Sequence, residues 1–125
     1  MNKYSVLIVD DELLIQELIK DYLEESFECS VVFSSNGLEG LQQGQNMKFD
    51  LIIVDYSMPI MNGVLMIKSL REQKNLNIQT PIILCTGFVD EVIPLLKNIE
   101  NIYILDKTKF QTDIESIVKS IFINK

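Results

Sequence analysis

The chain has 125 residues, 47% of them apolar and 23% charged, a balance that suits one globular core rather than a disordered tail. Asp plus Glu outnumber Lys plus Arg 18 to 11, and the formal charge of −7 argues against a nucleic-acid surface, where clustered cations must meet phosphate. No apolar run approaches the roughly 18 residues needed to span a bilayer, and Met1 to Tyr4 lack the apolar stretch and cleavage site of a signal peptide, so the expectation is a cytoplasmic chain with no membrane partner.

Along the chain, short β-branched apolar runs alternate with segments of helical period. Tyr4 to Val9, Cys29 to Phe33, Leu51 to Val54, Pro81 to Cys85 and Ile102 to Leu105 are too continuously apolar to have one wet face and read as interior parallel strands. After the first run, Leu14, Leu18 and Tyr22, and beside them Ile15, Ile19 and Leu23, make a helix face. Leu38 and Leu41 make a short one, and Val64, Ile67 and Leu70 another. A fourth helix is expected over Glu91 to Asn98. Pro94 lies inside it, at a cost of about 3 kcal/mol, which predicts a short, late-starting or mobile element. Ile114, Ile117, Val118, Ile121 and Phe122 mark the fifth helix. Five βα units with right-handed crossovers predict a three-layer α/β fold of flavodoxin-like type, a doubly wound five-stranded parallel sheet in order 2-1-3-4-5 with five helices, as one domain over 1–125. In that order Cys29 and Cys85 sit on strands roughly 14 Å apart, at about 4.8 Å per strand step, too far to bond. Both are expected to be reduced and buried. With no His in the chain, every His-containing zinc or nucleophile–base arrangement is excluded.

In open parallel sheets the ligand site lies beyond the carboxyl ends of the strands. There the first strand runs into Asp10, Asp11 and Glu12, the third into Asp55, the fourth into Thr86, and the fifth through Asp106 to Lys107. Taken singly, each has an ordinary structural use. The first acids could cap a helix, Asp55 could open a turn before Pro59, Thr86 could be a turn hydroxyl and Lys107 a solvated charge. Those uses do not account for all of them falling at the ligand-side ends of one sheet. Carboxylates gathered there repel by roughly 3 kcal/mol per pair at about 5 Å and an effective dielectric near 20. A hard divalent cation offsets this best, since Mg²⁺ takes a few carboxylate oxygens and keeps positions for water and a phosphate oxygen.

These residues resemble the receiver domains of two-component response regulators, on "VDDE" (Val9 to Glu12), "DYSMPIMNG" (Asp55 to Gly63), "CTG" (Cys85 to Gly87) and "DK" (Asp106, Lys107), over essentially the whole chain. The resemblance implies Asp55 as phosphoacceptor and Asp11 as a direct Mg²⁺ ligand. Asp10 would bind the ion through water, and Ser57 through its backbone carbonyl. It further implies that Thr86 hydrogen-bonds the phosphoryl group and that Lys107 pairs with it. Phe88, Tyr103 and Ile104 fall at switch or output positions. A protein of this kind catalyses only its own phosphoryl transfer and dephosphorylation. It takes its phosphoryl group from a sensor histidine kinase or a histidine phosphotransfer protein and signals to a downstream protein partner. Because the chain ends at Lys125, directly after the fifth helix, a stand-alone or isolated receiver is expected.

Some positions depart from the family pattern. Thr108 stands where a proline joined by a cis bond usually follows the lysine, and a cis bond to Thr would cost about 3 to 4 kcal/mol, so a trans bond and a reshaped loop are expected. Thr108 to Gln111 and Thr112 to Glu115 both fit a capping box for the last helix. The aromatic switch position three before the lysine holds Ile104, with Tyr103 on the opposite strand face. Three rival readings are a haloacid-dehalogenase-like phosphatase, an FMN binder of the same fold and a receiver-like interaction module without phosphorylation. The first wants a carboxylate where Ser57 stands, and the second wants phosphate-binding hydroxyls where Asp10 to Glu12 stand.

Overall fold

The computed structural model describes residues 3–123, so the first two and last two positions of the expected domain lie outside it. Five parallel strands, β1 (Tyr4–Val9), β2 (Cys29–Ser34), β3 (Leu51–Asp55), β4 (Ile82–Thr86) and β5 (Ile102–Asp106), form one sheet in the expected order 2-1-3-4-5. The helices are α1 (Leu13–Ser26), α2 (Gly37–Asn46), α3 (Gly63–Glu72), α4 (Val89–Leu95) and α5 (Phe110–Ile123). The alternation of side chains along each strand separates two cores. Val6, Ile8, Ile53 and Ile83 face α1 and α5, and Leu7, Val9, Ile52 and Leu84 face the layer of α2, α3 and α4. Both faces of β1, β3 and β4 are covered, which is why these strands carry no polar alternation, whereas β2 and β5, read from sequence as interior, are the edges of the sheet and are only partly buried.

The helices depart from expectation in informative ways. In α1, Ile15, Ile19 and Leu23 pack inward and Tyr22 packs partly, but Leu14 is 73% exposed and Leu18 54%. The two candidate stripes lie one residue, about 100°, apart on the helix, and only one can face the sheet. The fully buried row is Gln16, Ile19 and Leu23. In α2 the buried positions are Gly37, Gly40 and Gly44, and Leu38 is exposed. Helix α3 buries Val64, Ile67 and Leu70 as expected. Helix α4 is short, as Pro94 predicts, yet it starts at Val89 rather than late. It closes at Leu96, whose N–H donates to the carbonyls of Val92 and Ile93. Cys29 and Cys85 are free and buried on non-adjacent strands, and burial pushes their thiols up to about 11 and about 12. No helix among the described residues is long and apolar enough to cross a membrane.

Candidate functional site

Parallel register carries the ends of β1, β3, β4 and β5 to one edge: Val9 pairs with Val54, Asp55 with Cys85 and Thr86 with Asp106. Just beyond that edge, carboxylate oxygens of Asp10, Asp11 and Asp55 all lie within 4.8 Å of one another. Asp10 and Asp55 are buried and Asp11 is exposed. Lys107 reaches over from the end of β5, its Nζ 2.6 Å from Asp55 Oδ1. At that distance the two form a close, charge-assisted ion pair. Three carboxylates thus face one ammonium.

Charge states follow from that imbalance. Burial, opposed by the Glu12 N–H and reinforced by Asp55, pushes the Asp10 carboxyl up to about 6. Burial likewise raises Asp55, and its pairing with Lys107 does not bring it back to the ordinary carboxylate range. For Lys107, burial works against the ammonium, but the Asp55 carboxylate outweighs it and holds the lysine above its usual value. Such a cluster is suited to a hard cation. Its donors are all oxygen, three carboxylates crowd within 4.8 Å of one another, and the negative charge exceeds what Lys107 supplies.

The loops are held by named contacts. Glu12 stands at the N-cap of α1 with no capping bond from its side chain. Instead its N–H donates to Asp10 Oδ1 at 2.9 Å, so the helix-capping use of these acids is not what the fold adopts. After β3, Gly63 N–H donates to the Tyr56 carbonyl at 3.0 Å. A Cβ on Gly63 would collide with the Asp55 carbonyl oxygen and lie 2.8 Å from Leu84 Cδ1, so only glycine lets α3 start this close to Asp55. Ile60, in the same loop, has φ 71° and a side chain 76% exposed, a left-handed conformation that β-branched residues resist. Ser57 is exposed and lines an open cleft with Asp11 and Tyr56. A Cβ on Gly87 would meet nothing within 4 Å, so this position faces open space.

The remaining candidates are not all brought together. Thr86 is buried, and its Oγ1 accepts the Phe88 N–H at 2.8 Å, while the Phe88 ring is 59% exposed at the rim. Ile104 packs in the core beside α4, and Tyr103 packs in the opposite core with α1 and α5. Tyr103 therefore lies across the sheet from Phe88's helix. Lys107–Thr108 is trans, and a 3₁₀ turn, Lys107–Lys109, leads into α5. Neither capping box forms. Asp106 Oδ1 accepts the Thr108 N–H and hydroxyl at 2.9 and 2.8 Å, and Thr112 Oγ1 donates to the Lys109 carbonyl. Sequence reading missed Gln16, whose amide Nε2 donates to the carbonyls of Asp10 at 2.6 Å and Ser34 at 3.3 Å. Its only sequence signal is a polar residue three before Ile19 and seven before Leu23, on the inward row.

A doubly wound sheet with an acidic cup and a lysine at its carboxyl edge is a fold that binds its ligand at the strand ends, with donors suited to a cation and a phosphoryl group. Residues 6–119 match the response regulator receiver domain, and the chain belongs to that family of two-component systems. It is 40% identical over 84 residues to a protein-glutamate methylesterase/protein-glutamine glutaminase of Clostridium acetobutylicum, covering 66% of this chain and 24% of that protein. It is 34% identical over 90 residues to the transcriptional regulatory protein ResD of Bacillus subtilis, covering 72% and 35%. The chain thus spans about a quarter to a third of the length of these curated relatives. Among solved structures, chemotaxis response regulator CheY4 of Vibrio cholerae superposes with TM-score 0.84 at 26% identity, covering 96% of this chain and 99% of that one. Response regulator TrrA of Thermotoga maritima, in complex with Mg²⁺–BeF, gives 0.79 at 28% identity, covering 94% and 98%. The phosphatase and flavin readings find no support in these matches.

Proposed function

We propose that this chain, as a single receiver unit over residues 1–125, accepts a phosphoryl group on Asp55 and signals by changed affinity for a protein partner. The observation that carries this is the cup itself: Asp10, Asp11 and Asp55 within 4.8 Å, with Lys107 2.6 Å from the Asp55 oxygen. The donor is a phosphohistidine on a sensor kinase or phosphotransfer protein, since the chain has no His of its own. Family membership supports that choice, and cytoplasmic residence is part of the proposal because such donors are charged from ATP.

Asp10, Asp11, Asp55 and the Ser57 carbonyl would hold Mg²⁺, as the Mg²⁺–BeF complex of TrrA suggests. When bound, the ion would supply screening of the acceptor carboxylate and of the phosphoryl oxygens. The chain's own residues do the rest. The Asp55 carboxylate attacks phosphorus in line as the donor nitrogen leaves, forming an acyl phosphate. Lys107 is already paired with that carboxylate and keeps its charge against the incoming oxygens. The Thr86 hydroxyl, engaged with the Phe88 N–H, turns toward the phosphoryl group and so frees the start of α4. The open flank at Gly87 admits the donor ring. Beyond forming and hydrolysing its own acyl phosphate, the domain has no substrate.

Intact-mass measurement with a small phosphodonor tests this. Wild type should gain one phosphoryl group only when Mg²⁺ is present, and Asp55→Asn none. Equal labelling of the variant would overturn the proposal.

A further inference from the structure

We infer that Gln16 is a positioning residue for the acidic cup, fixing the peptide that presents Asp10 and Asp11, an inference that rests on the reading above. Gln16 is buried in α1, on the row that otherwise carries Ile19 and Leu23. A neutral amide on an apolar row is costly unless both of its N–H groups are used. Here both are aimed at main-chain oxygens, the Asp10 carbonyl at 2.6 Å and the Ser34 carbonyl at 3.3 Å. One side chain thus ties the end of β1 and the end of β2 to the first helix.

The consequence falls on the ligands. Asp10 is held at three points: its N–H by the Ser34 carbonyl at 3.0 Å, its Oδ1 by the Glu12 N–H at 2.9 Å, and its C=O by Gln16. Glu12 is held in turn, because its carbonyl accepts the Gln16 backbone N–H at 3.1 Å. Asp11, exposed and with no such anchor of its own, stands between two fixed residues. Its direction is therefore set by the peptides on either side, and the Asp10–Asp11 peptide is the one whose carbonyl Gln16 grips. Glu12 offers no side-chain cap, so without the Gln16 side chain the turn between β1 and α1 keeps the Asp10–Ser34 and Glu12–Asp10 bonds and the backbone bond from residue 16 to the Glu12 carbonyl, but nothing on the Asp10 carbonyl from α1. Residues that orient ligands through hydrogen bonds typically change metal affinity by about 10- to 100-fold when removed.

Gln16→Met keeps length and bulk but deletes both donors. Titration calorimetry with Mg²⁺ alone should give an affinity about tenfold weaker than wild type. Ile121→Val, a trimming of the core in α5 away from the cup, should leave it unchanged even where stability falls. A merely structural glutamine would lower stability in Gln16→Met without moving Mg²⁺ affinity, and that result would overturn the inference. Asp10→Asn serves as the reference. If it too leaves Mg²⁺ affinity unchanged, the cup reading fails, whereas a weakened Asp10→Asn beside an unaffected Gln16→Met sinks only the role of Gln16. Should Gln16→Met not fold, the side-chain amide resonances of Gln16 in the wild-type protein decide. They should be shifted by Mg²⁺ together with the Asp10 and Asp11 backbone amides, and unmoved Gln16 signals beside shifted aspartates would contradict the inference.

Discussion

Replacing Asp10 by asparagine removes one of three crowded carboxylates while keeping the Oδ1 that accepts the Glu12 N–H. The Asp10 carboxyl rises from an ordinary 3.8 to about 6, chiefly through burial. A carboxyl whose folded pKa lies above its unfolded one binds its proton more tightly in the folded state. The metal-free fold therefore holds this contribution in full below pH 3.8 and loses it as pH rises through about 6. A rise of about two units corresponds to about 3 kcal/mol, at roughly 1.4 kcal/mol per unit, and coupling to Asp55 makes that an upper bound. Asparagine has no such dependence. In urea unfolding without metal, Asp10→Asn should match wild type near pH 4 and exceed its stability by up to about 3 kcal/mol at pH 8. Saturating Mg²⁺ should shrink or reverse that advantage, because only wild type retains the full ligand set. A variant less stable than wild type at pH 8 without metal, or an advantage equal at the two pH values, would refute the reasoning.

Millimolar Mg²⁺ should raise the wild-type melting temperature, by the equivalent of about 1.4 kcal/mol at ten times the dissociation constant, and Asp11→Ala should lose the shift. Ile60→Gly should stabilise the fold by about 1 kcal/mol in urea unfolding, because the left-handed φ of 71° suits glycine and the lost side chain is 76% exposed. Gly63→Ala should cost about 1 to 3 kcal/mol by the same measure, since the new Cβ collides with the Asp55 carbonyl. Activation should be read chiefly as ordering or displacement of residues 88–98, because Thr86 is bonded to the Phe88 N–H and α4 has seven residues with Pro94 inside. Hydrogen exchange with and without beryllofluoride checks this, and unchanged protection there alongside burial of the Tyr103 ring would contradict it.

What could be read from sequence follows the strength of each physical signal. The run Tyr4 to Val9 gave β1 to the residue, because its stretch Val6 to Val9 is buried and continuously apolar and the run is bounded by charge at Lys3 and Asp10. The sheet order followed from counting βα units, and the cup from noting that acids cluster where parallel strands end. Local ambiguity defeated the rest. Leu14 and Ile15 open equally good stripes, and only the position of the sheet selects Ile15. Two capping boxes compete for the start of α5, and the fold uses neither: Asp106 takes the Thr108 N–H and hydroxyl, and Thr112, already inside α5, donates to the Lys109 carbonyl. Gln16 was invisible because its partners are backbone carbonyls, which any sequence would supply. Tyr103 and Ile104 were separated correctly because strand alternation leaves no choice.

The assignment of Asp55 is tested most directly by locating the phosphoryl group. After reaction with a small phosphodonor and Mg²⁺, borohydride reduction converts an aspartyl phosphate to homoserine, and peptide mass spectrometry reads its position. Homoserine at residue 55 alone, absent when Mg²⁺ is withheld, is the predicted result. Homoserine at Asp10, Asp11 or any other acid, or a stable ester on Ser57 or Thr86, would contradict it.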